Sequence, residues 1–387
     1  MIARISLLIL LVTLLPDLYI YRHFLRQRFD MTLWLRLLWW LPCATLIACT
    51  ASYSMIRNFA PDNLTLFNAY LFLIGLVVVP KVLFVLASLT GRLVKKVLKL
   101  RTNWGNHCGL LIALGWLYIL FMGSMVGPDE LHVRRVTLQF DDLPKTFDGY
   151  RIVHISDLHL GSMREEFAER VVAQINALHP DAILFTGDLQ NMKPEELTPH
   201  ADTFKRLRSK DGVFSVLGNH DYSEYVKDAT ADEKRAMEQA TRTFEINEGW
   251  QLLLNEHRSI RRANDSIVIA GTENDGRPPF PAKADYTRAL HGVEPHAFVI
   301  MMQHDPSAWR RHILPQCNAQ LTLSGHTHGG QFSLFGWRPT ELTGYEDDGL
   351  YQEGNRSLFV STGLGGFLPF RFNMQPEIVE ITLTHKP

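Results

Sequence analysis

Four long apolar segments near the start of the chain constrain its fold more than any other feature. They cover residues 5–21, 33–55, 66–89 and 108–125. A helix needs roughly 20 mostly apolar residues to cross a bilayer, and the last three segments fit this length well. Beyond residue 127 the chain mixes short apolar runs, charges and turns. The sequence therefore predicts two domains, a transmembrane anchor over residues 1–127 and a water-soluble domain over residues 128–387.

The first apolar segment allows two interpretations. It is the shortest of the four, it contains Pro16 and Asp17, and Arg4 precedes its apolar core, as in a cleaved signal peptide. It lacks a small-x-small cleavage site, however, and arginines follow it closely, which favours an uncleaved anchor. We therefore expect a bundle of about four transmembrane helices, as in a multi-pass protein of the cell membrane.

The distribution of cations predicts the orientation of these helices. Two linkers are basic, the first through Arg22, Arg26 and Arg28 and the third through Arg92, Lys95, Lys96, Lys99 and Arg101. The second linker contains only Arg57. Because basic loops stay in the cytoplasm, this pattern places the N-terminus and the soluble domain outside the cytoplasm.

Lys81 lies inside the third apolar segment, directly after Pro80. A charge buried in hydrocarbon costs about 2.5 to 3.5 kcal/mol on insertion scales, so Lys81 is a candidate functional residue. The alternative, which we favour, is that its side chain extends toward the membrane interface from a kinked helix.

The formal net charge of −1 conceals an asymmetry between the two halves. Residues 1–128 contain 12 Lys/Arg against 3 Asp/Glu, whereas the remaining residues contain 27 against 37. Nucleic-acid binding needs a basic surface, so we expect no nucleic-acid partner for the acidic soluble half. An acidic domain still binds phosphate groups where metal ions supply positive charge.

In the soluble half, compact apolar runs alternate with stretches of helical character. The predicted strands cover residues 150–155, 182–185, 213–217, 267–270, 297–302 and 321–323, and the predicted helices cover 164–178, 194–208, 231–244 and 306–314. This alternation predicts an α/β domain with central sheets covered by helices.

Polar clusters follow five of these six strands, at the point where each strand ends. They are Asp157-Leu158-His159, Gly187-Asp188, Gly218-Asn219-His220-Asp221, His304 and Gly325-His326-Thr327-His328. A lone histidine there is more often structural, and a lone Gly-Asp is most often a turn. Ligands of α/β sheets gather at the carboxyl ends of strands, so five such clusters together predict one shared site.

Seven of these side chains offer oxygen or imidazole ligands, and none offers a thiolate. They are Asp157, His159, Asp188, Asn219, His304, His326 and His328. Such ligands suit Mn, Fe or Zn. Seven are too many for one catalytic ion, but two divalent metal ions with a bridging carboxylate keep positions open for water.

These clusters resemble the calcineurin-like metallophosphoesterase family, whose pattern is D-x-H, G-D, G-N-H-[DE], H and G-H-x-H. Every element stands here in order, from about residue 143 to the C-terminus. The flanking residues 143–152 and 328–331 are similar to a bacterial membrane-associated or exported subgroup, which includes lipid-directed pyrophosphatases. The resemblance implies a four-layer α/β/β/α sandwich preceded by the membrane helices.

The resemblance also implies a role for each residue. Asp157, His159 and His328 would bind one ion, Asn219, His304 and His326 the other, and Asp188 would bridge both. A water between the ions would become the attacking hydroxide, and His220 would be the catalytic proton donor or cation. For Asp221 three roles stay open, namely orienting the His220 ring, supporting a ligating histidine, or capping a following helix.

The predicted function is a membrane-anchored hydrolase of phosphomonoesters, phosphodiesters or pyrophosphates. A lipid-linked substrate suits the membrane half, but the external placement counts against a cytoplasmic nucleotide-lipid. A receptor or scaffold that kept only the fold should have lost ligands, and none is missing. A transporter usually has several polar positions in its spans, whereas only Lys81 and Asp17 are charged well inside them. No feature of the sequence identifies a protein partner.

Overall fold

The computed structural model describes residues 2–61 and 63–386. The chain divides into two compact units, Met1–Ser124 and Met125–Pro387. Four helices in the described residues are long and apolar enough to cross a membrane, namely α1 Ile5–Arg28, α2 Leu33–Ser54, α3 Leu64–Val97 and α4 Gly105–Asp129. The prediction of four apolar N-terminal helices is confirmed.

Small residues allow α3 and α4 to approach each other closely. A side chain on Gly105 would collide with the backbone carbonyl of Ala87, and its Cβ would lie 2.7 Å from the Cα of Gly91. In lipid, where water drives no apolar association, close packing of this kind holds helices together.

Lys81 has a partner in another helix. Its Nζ lies 2.6 Å from Oδ1 of Asp17, whose side chain is only 1% exposed. The same ammonium lies 4.7 Å from the centroid of the Trp39 ring. This pairing corrects the interpretation that Lys81 only extends toward the membrane interface, because each charge compensates the other inside an apolar bundle.

Twelve strands of the second unit, all within its described residues, form two sheets of six. They are β1 His132–Phe140, β2 Tyr150–Ile155, β3 Ala182–Phe185, β4 Val213–Ser215, β5 Gln251–Leu252, β6 Glu256–Arg262, β7 Asp265–Gly271, β8 Phe298–Met302, β9 Leu321–Ser324, β10 Gly349–Glu353, β11 Arg356–Val360 and β12 Glu377–His385. The first sheet has the order β1-β12-β2-β3-β4-β5 and the second β10-β11-β9-β8-β7-β6. Strands β2 to β5 are mutually parallel, as are β7, β8, β9 and β11.

Helices cover the outer face of each sheet. The helices of this unit are α5 Glu165–Ala177, α6 Ala201–Phe204, α7 Ala231–Asn247, α8 Tyr286–Ala289 and α9 Leu314–Gln316. Apolar residues of both sheets, such as Ile152 and Ile300, form one core between them. Val171 of α5 packs on the outside of the first sheet, and Trp309 packs on the outside of the second. The predicted four-layer α/β/β/α sandwich is confirmed.

The helix predicted over residues 194–208 is wrong. The chain there forms two short turns, Pro194–Glu196 and Thr198–His200, followed by the four residues of α6. Pro199 lacks an N–H to donate, and its ring disfavours the helical conformation of the preceding turn, which explains the interruption of this segment.

Candidate metal centre

The polar clusters of both sheets meet in one place. The backbone N–H of His326, which follows β9, donates to both carboxylate oxygens of Asp157, which follows β2, at 3.1 and 3.0 Å. The Nε2 of His304, which follows β8, lies 3.1 Å from Oδ2 of Asp188, which follows β3. A single site therefore spans the carboxyl ends of parallel strands in both sheets.

The ligand atoms form three overlapping groups. They are Asp157, His159 and His328; Asp188, His304 and His326; and His159, Asp188 and His220, with the atoms of each group within 4.8 Å of one another. The first group is the set predicted for one ion, and the second contains two residues of the set predicted for the other, His304 and His326, with the predicted bridge Asp188. The third shows that His220, predicted as catalytic, also lies within reach of the ligands.

Asn219 lies at the same site, although no group above contains it. The next residue, His220, donates its backbone N–H to Oδ1 of Asp188 at 2.8 Å. The Nδ2 of Asn219 donates to the Tyr225 hydroxyl at 2.8 Å, which leaves its Oδ1 free to accept. The structure therefore brings together all seven predicted ligands and His220.

Hydrogen bonds fix the ring orientation of two histidines. Nδ1 of His304 lies 2.7 Å from the carbonyl oxygen of Thr186, and Nδ1 of His159 lies 3.0 Å from Oδ1 of Asn191. Because both partners are acceptors, each Nδ1 carries a proton, and each Nε2 faces the carboxylate of Asp188. Metal-binding histidines are commonly held in this way.

Two buried candidate ligand atoms lack a hydrogen-bond partner within the described residues. They are Nε2 of His159 and Oδ1 of Asn219, and their side chains are almost fully buried. A buried acceptor without a partner is costly. Two buried carboxylates, Asp157 and Asp188, lie beside these atoms. The donor set therefore fits divalent cations.

Burial and neighbouring charges shift the pKa values of several residues at this site. Burial raises the pKa of Asp157 to about 6 and lowers that of His159 to about 3. Burial opposes protonation of His304 too, but the Asp188 carboxylate outweighs it and raises the pKa of His304 to about 10. Burial likewise opposes ionisation of Asp188, yet the charge of His304 holds its pKa well below the usual range. A proton on His304 thus compensates Asp188 in the metal-free protein.

Two glycines of the motifs lie where segments of the chain are too close together to admit a side chain. A side chain on Gly218 would collide with the Asp188 carboxylate, and one on Gly325 would collide with Ser156 and Asp157. Each glycine therefore allows the loop after one strand to pack directly against a predicted ligand that follows another strand.

The backbone at five predicted ligands adopts positive φ, which non-glycine residues rarely do. The values are 53° at Asp157, 47° at His159, 59° at Asp188, 73° at His326 and 51° at His328. Such conformations cost of order 1–3 kcal/mol each and concentrate at functional sites. Their grouping here is independent support for function.

Asp221 holds the backbone of the Asp188 loop. Its carboxylate accepts from the N–H groups of Gly218, Asp188 and Leu189 at 2.8 to 2.9 Å. Burial raises its pKa to about 7. Asp221 lies within a turn and not at the start of a helix, so the helix-capping role is not observed. Its hydrogen bonds add a role that the sequence did not suggest, in which Asp221 positions the backbone of the predicted ligand Asp188.

Sequence reasoning missed Arg371, a fully buried cation near the site. Its guanidinium donates to the carbonyl oxygens of Thr362, Gly365 and Met374. Gly365 in turn donates its N–H to the carbonyl of Asp157 at 2.7 Å. Arg371 therefore supports the loop that lies against the Asp157 turn. It follows no strand, and no motif marks it.

Sequence reasoning also missed Asn191 and Tyr225. Asn191 stands three residues after Asp188, so its place after a strand end was an available signal. Tyr225 stacks on His220, with ring centroids 4.4 Å apart. Nothing in its sequence context indicates this contact.

Comparison with known proteins identifies two family models. The model described as "Calcineurin-like phosphoesterase" matches residues 150–330, and the model described as "Probable Calcineurin-like phosphoesterase, transmembrane domain" matches residues 3–128. Between them they cover both the membrane helices and all the strand ends that form the site.

Three curated relatives illustrate the range of similar proteins. "Uncharacterized metallophosphoesterase YkuE" of Bacillus subtilis is 32% identical over 66% of this chain and 86% of its own. "UDP-2,3-diacylglucosamine pyrophosphatase LpxG" of Chlamydia trachomatis is 30% identical over 67% and 92%. "Transmembrane protein with metallophosphoesterase domain" of Danio rerio is 29% identical over 64% and 56%, so the match spans about half of that protein.

Proposed function

The chain belongs to the calcineurin-like phosphoesterase family and is a membrane-associated phosphoester hydrolase, and on that premise we propose a dinuclear, metal-dependent reaction mechanism. The observation that carries this proposal is the cluster of seven oxygen and imidazole side chains, two of which present buried acceptors without hydrogen-bond partners among the described residues. We assign the catalytic domain to residues 128–387 and the anchor to residues 1–127. The extents of the two family matches support this division.

The two ions would share the predicted ligands. Asp157, His159 and His328 would hold one ion, Asn219, His304 and His326 the other, and Asp188 both. The proximity of Asp188 Oδ2 to Nε2 of His304 at 3.1 Å and of His159 at 3.7 Å supports a bridging role. Borderline metals such as Mn, Fe or Zn suit this mixture of ligands.

When bound, two such ions would supply an activated water and positive charge for the phosphoryl oxygens. Side chains of the protein would supply the proton for the leaving group. The Nδ1 of His220 donates to the carbonyl oxygen of Asn191, which fixes the orientation of the ring. His220 is half-buried beside His159 and Asp188, a position from which its ring would protonate or hydrogen-bond a leaving oxygen.

A phosphate ester carried by a lipid is the substrate class that we favour. The membrane helices of this chain support it, and so does the Chlamydia relative, whose printed name is that of a lipid-nucleotide pyrophosphatase. An inactive receptor is less well supported, because no predicted ligand is lost from the site.

Removal of metal tests this proposal. The full-length chain in detergent micelles should hydrolyse p-nitrophenyl phosphate or bis-p-nitrophenyl phosphate, lose this activity in EDTA, and regain it with Mn²⁺. Ca²⁺ should not restore it, because Ca²⁺ prefers oxygen-only sites and this site is rich in imidazole. Turnover that is indifferent to EDTA would overturn the metal-dependent mechanism.

The catalytic domain is proposed to lie outside the cytoplasm, as the basic linkers after α1 and α3 indicate. A reporter enzyme that is active only outside the cytoplasm should be active when fused to the C-terminus. The matched control is a fusion after residue 101, in the basic linker, which should be inactive. The opposite pattern would reverse the orientation.

A further inference from the structure

Exposed apolar side chains of the soluble unit are concentrated in one segment. Six large hydrophobic residues are exposed within the described residues 130–386, and five of them lie between residues 335 and 350. Four of these, Phe335, Trp337, Leu342 and Tyr345, are here called the apolar rim. Phe335 is 100% exposed and Leu342 79% exposed. Contiguous exposure of this kind marks an interaction surface.

The tip of the rim is a tight turn that holds Phe335 out into solvent. Leu334 and Trp337 exchange backbone hydrogen bonds of 3.0 and 3.1 Å. The two residues between them, Phe335 and Gly336, have φ values of 53° and 84°. Asparagine and glycine are favoured in such turns, whereas an aromatic residue there is strained. The Phe335 ring is fully exposed, so packing against the described residues does not offset the strain of its backbone. A functional role explains why an aromatic residue is kept at this position.

The rim is rigidly connected to the metal centre. Arg338 donates to both carboxylate oxygens of Asp347, at 2.7 and 3.0 Å. The backbone carbonyl of Asp347 accepts from the hydroxyl of Thr327, which stands between His326 and His328. The rim is therefore held against the loop that carries two predicted ligands.

A second loop continues this surface on the side of His326. The ring of Phe280 contacts the ring of His326, with centroids 5.0 Å apart. Arg277, three residues earlier, lies over the Tyr345 ring at 4.3 Å. The approach to His326 is thus bordered by aromatic residues from two loops.

The same end of the soluble unit receives the chain from α4. The last residue of α4, Asp129, is separated from β1 by two residues. His132, at the start of β1, and Gly336, at the rim tip, line the same cavity of about 200 Å³. The backbones of Phe332 and Phe372 pair in an isolated parallel β-bridge next to this cavity. The rim therefore lies close to the point where the chain leaves its membrane-length helix.

We propose that the apolar rim inserts into the interfacial region of the bilayer in which α1 to α4 are anchored. Trp, Tyr and Phe side chains favour this region, where ring surfaces meet acyl chains and polar edges meet headgroups. Insertion turns the His326 side of the metal centre toward phosphate groups at the membrane surface. This last step rests on the proposed function, whereas the membrane contact itself does not.

Fluorescence quenching in nanodiscs tests the membrane contact with the full-length chain. An environment-sensitive NBD label is attached at Phe335→Cys in a chain whose Cys49 and Cys108 are replaced by Ser; Cys43 and Cys317 are buried. Lipids with a nitroxide near the headgroup should cause a large loss of NBD emission, and aqueous iodide a small one. The matched control is a label at Ile246→Cys, an exposed apolar position on α7, which should show the reverse.

The outcomes separate the two proposals. If the label at 335 is quenched by iodide as strongly as the label at 246 and is insensitive to nitroxide lipid, the rim does not enter the bilayer. Phe335→Ser should leave hydrolysis of soluble p-nitrophenyl phosphate unchanged, which shows that the fold and the metal centre are intact. If the unmodified chain hydrolyses no soluble ester, the proposed function fails, while the quenching result still decides on the rim.

Discussion

Asp188→Asn should reduce hydrolysis of p-nitrophenyl phosphate by about a thousandfold, the upper end of the effect of losing one charge-stabilising group. The reason is that Asp188 lies between the two ligand groups, with its Oδ2 near both His304 and His159. Asparagine keeps the shape of the side chain but removes its charge and one anionic oxygen. The variant should therefore fold but hold less metal.

Metal analysis after gel filtration distinguishes loss of ions from loss of fold. The unmodified chain should retain close to two ions, and Asp188→Asn fewer. The matched control is Asp181→Asn, because Asp181 is a buried carboxylate directly before β3 that accepts from the backbone N–H of Arg151 and pairs with Lys210 at 2.6 Å. It should keep both metal and activity. Asp188→Asn with full metal content and full rate would contradict the bridging role.

The candidate ligands could be found from the sequence because they follow a local rule. Strands such as β2 and β3 are short buried apolar runs, and the predicted bounds agree with the structure. The residue after a buried parallel strand emerges at its carboxyl end, so Asp157 and Asp188 are identified without any three-dimensional information. The glycine before Asp188 adds a second local signal, since only a small residue fits there.

The residues that support the ligands were not predictable by the same rule. His304 is oriented by the backbone carbonyl of Thr186, 118 positions away in sequence, and a carbonyl carries no side-chain signal. Arg371 acts only through carbonyl oxygens of a loop that has no regular structure. Asp221 was identified as a supporting residue, but its partners are N–H groups that the fold alone brings together.

Lys81 illustrates the same limit in the membrane helices. Its partner Asp17 lies in a different helix, so each charge is isolated when helices are considered one at a time. Sequence periodicity predicts that a helix exists, but not which neighbours it packs against. The edge strand β1 was missed for a related reason. Many of its side chains are exposed, which weakens the apolar pattern on which the prediction depends.

His220→Gln should reduce kcat by about 10²–10⁴-fold, the range associated with loss of a general acid or base, and leave the metal content unchanged. The His220 ring is held between the rings of His159 and Tyr225, with centroids 4.8 and 4.4 Å away. Its Nδ1 is engaged by the carbonyl of Asn191, which fixes the ring beside the carboxylate of Asp188. Turnover and bound metal, measured on the same preparation, check this prediction.

The same measurement separates the expected proton-donor role from a ligand role, which must be tested because the ligand atom of His220 lies within 4.8 Å of those of His159 and Asp188. A ligand role predicts a fall in bound metal and partial rescue of activity by excess Mn²⁺. A proton-donor role predicts neither. It predicts instead that His220→Gln is less harmful for esters with better leaving groups, since p-nitrophenolate needs less protonation than an alkoxide. His257→Gln, a half-buried histidine of β6 whose Nδ1 also faces a backbone carbonyl, is the matched control and should change neither quantity.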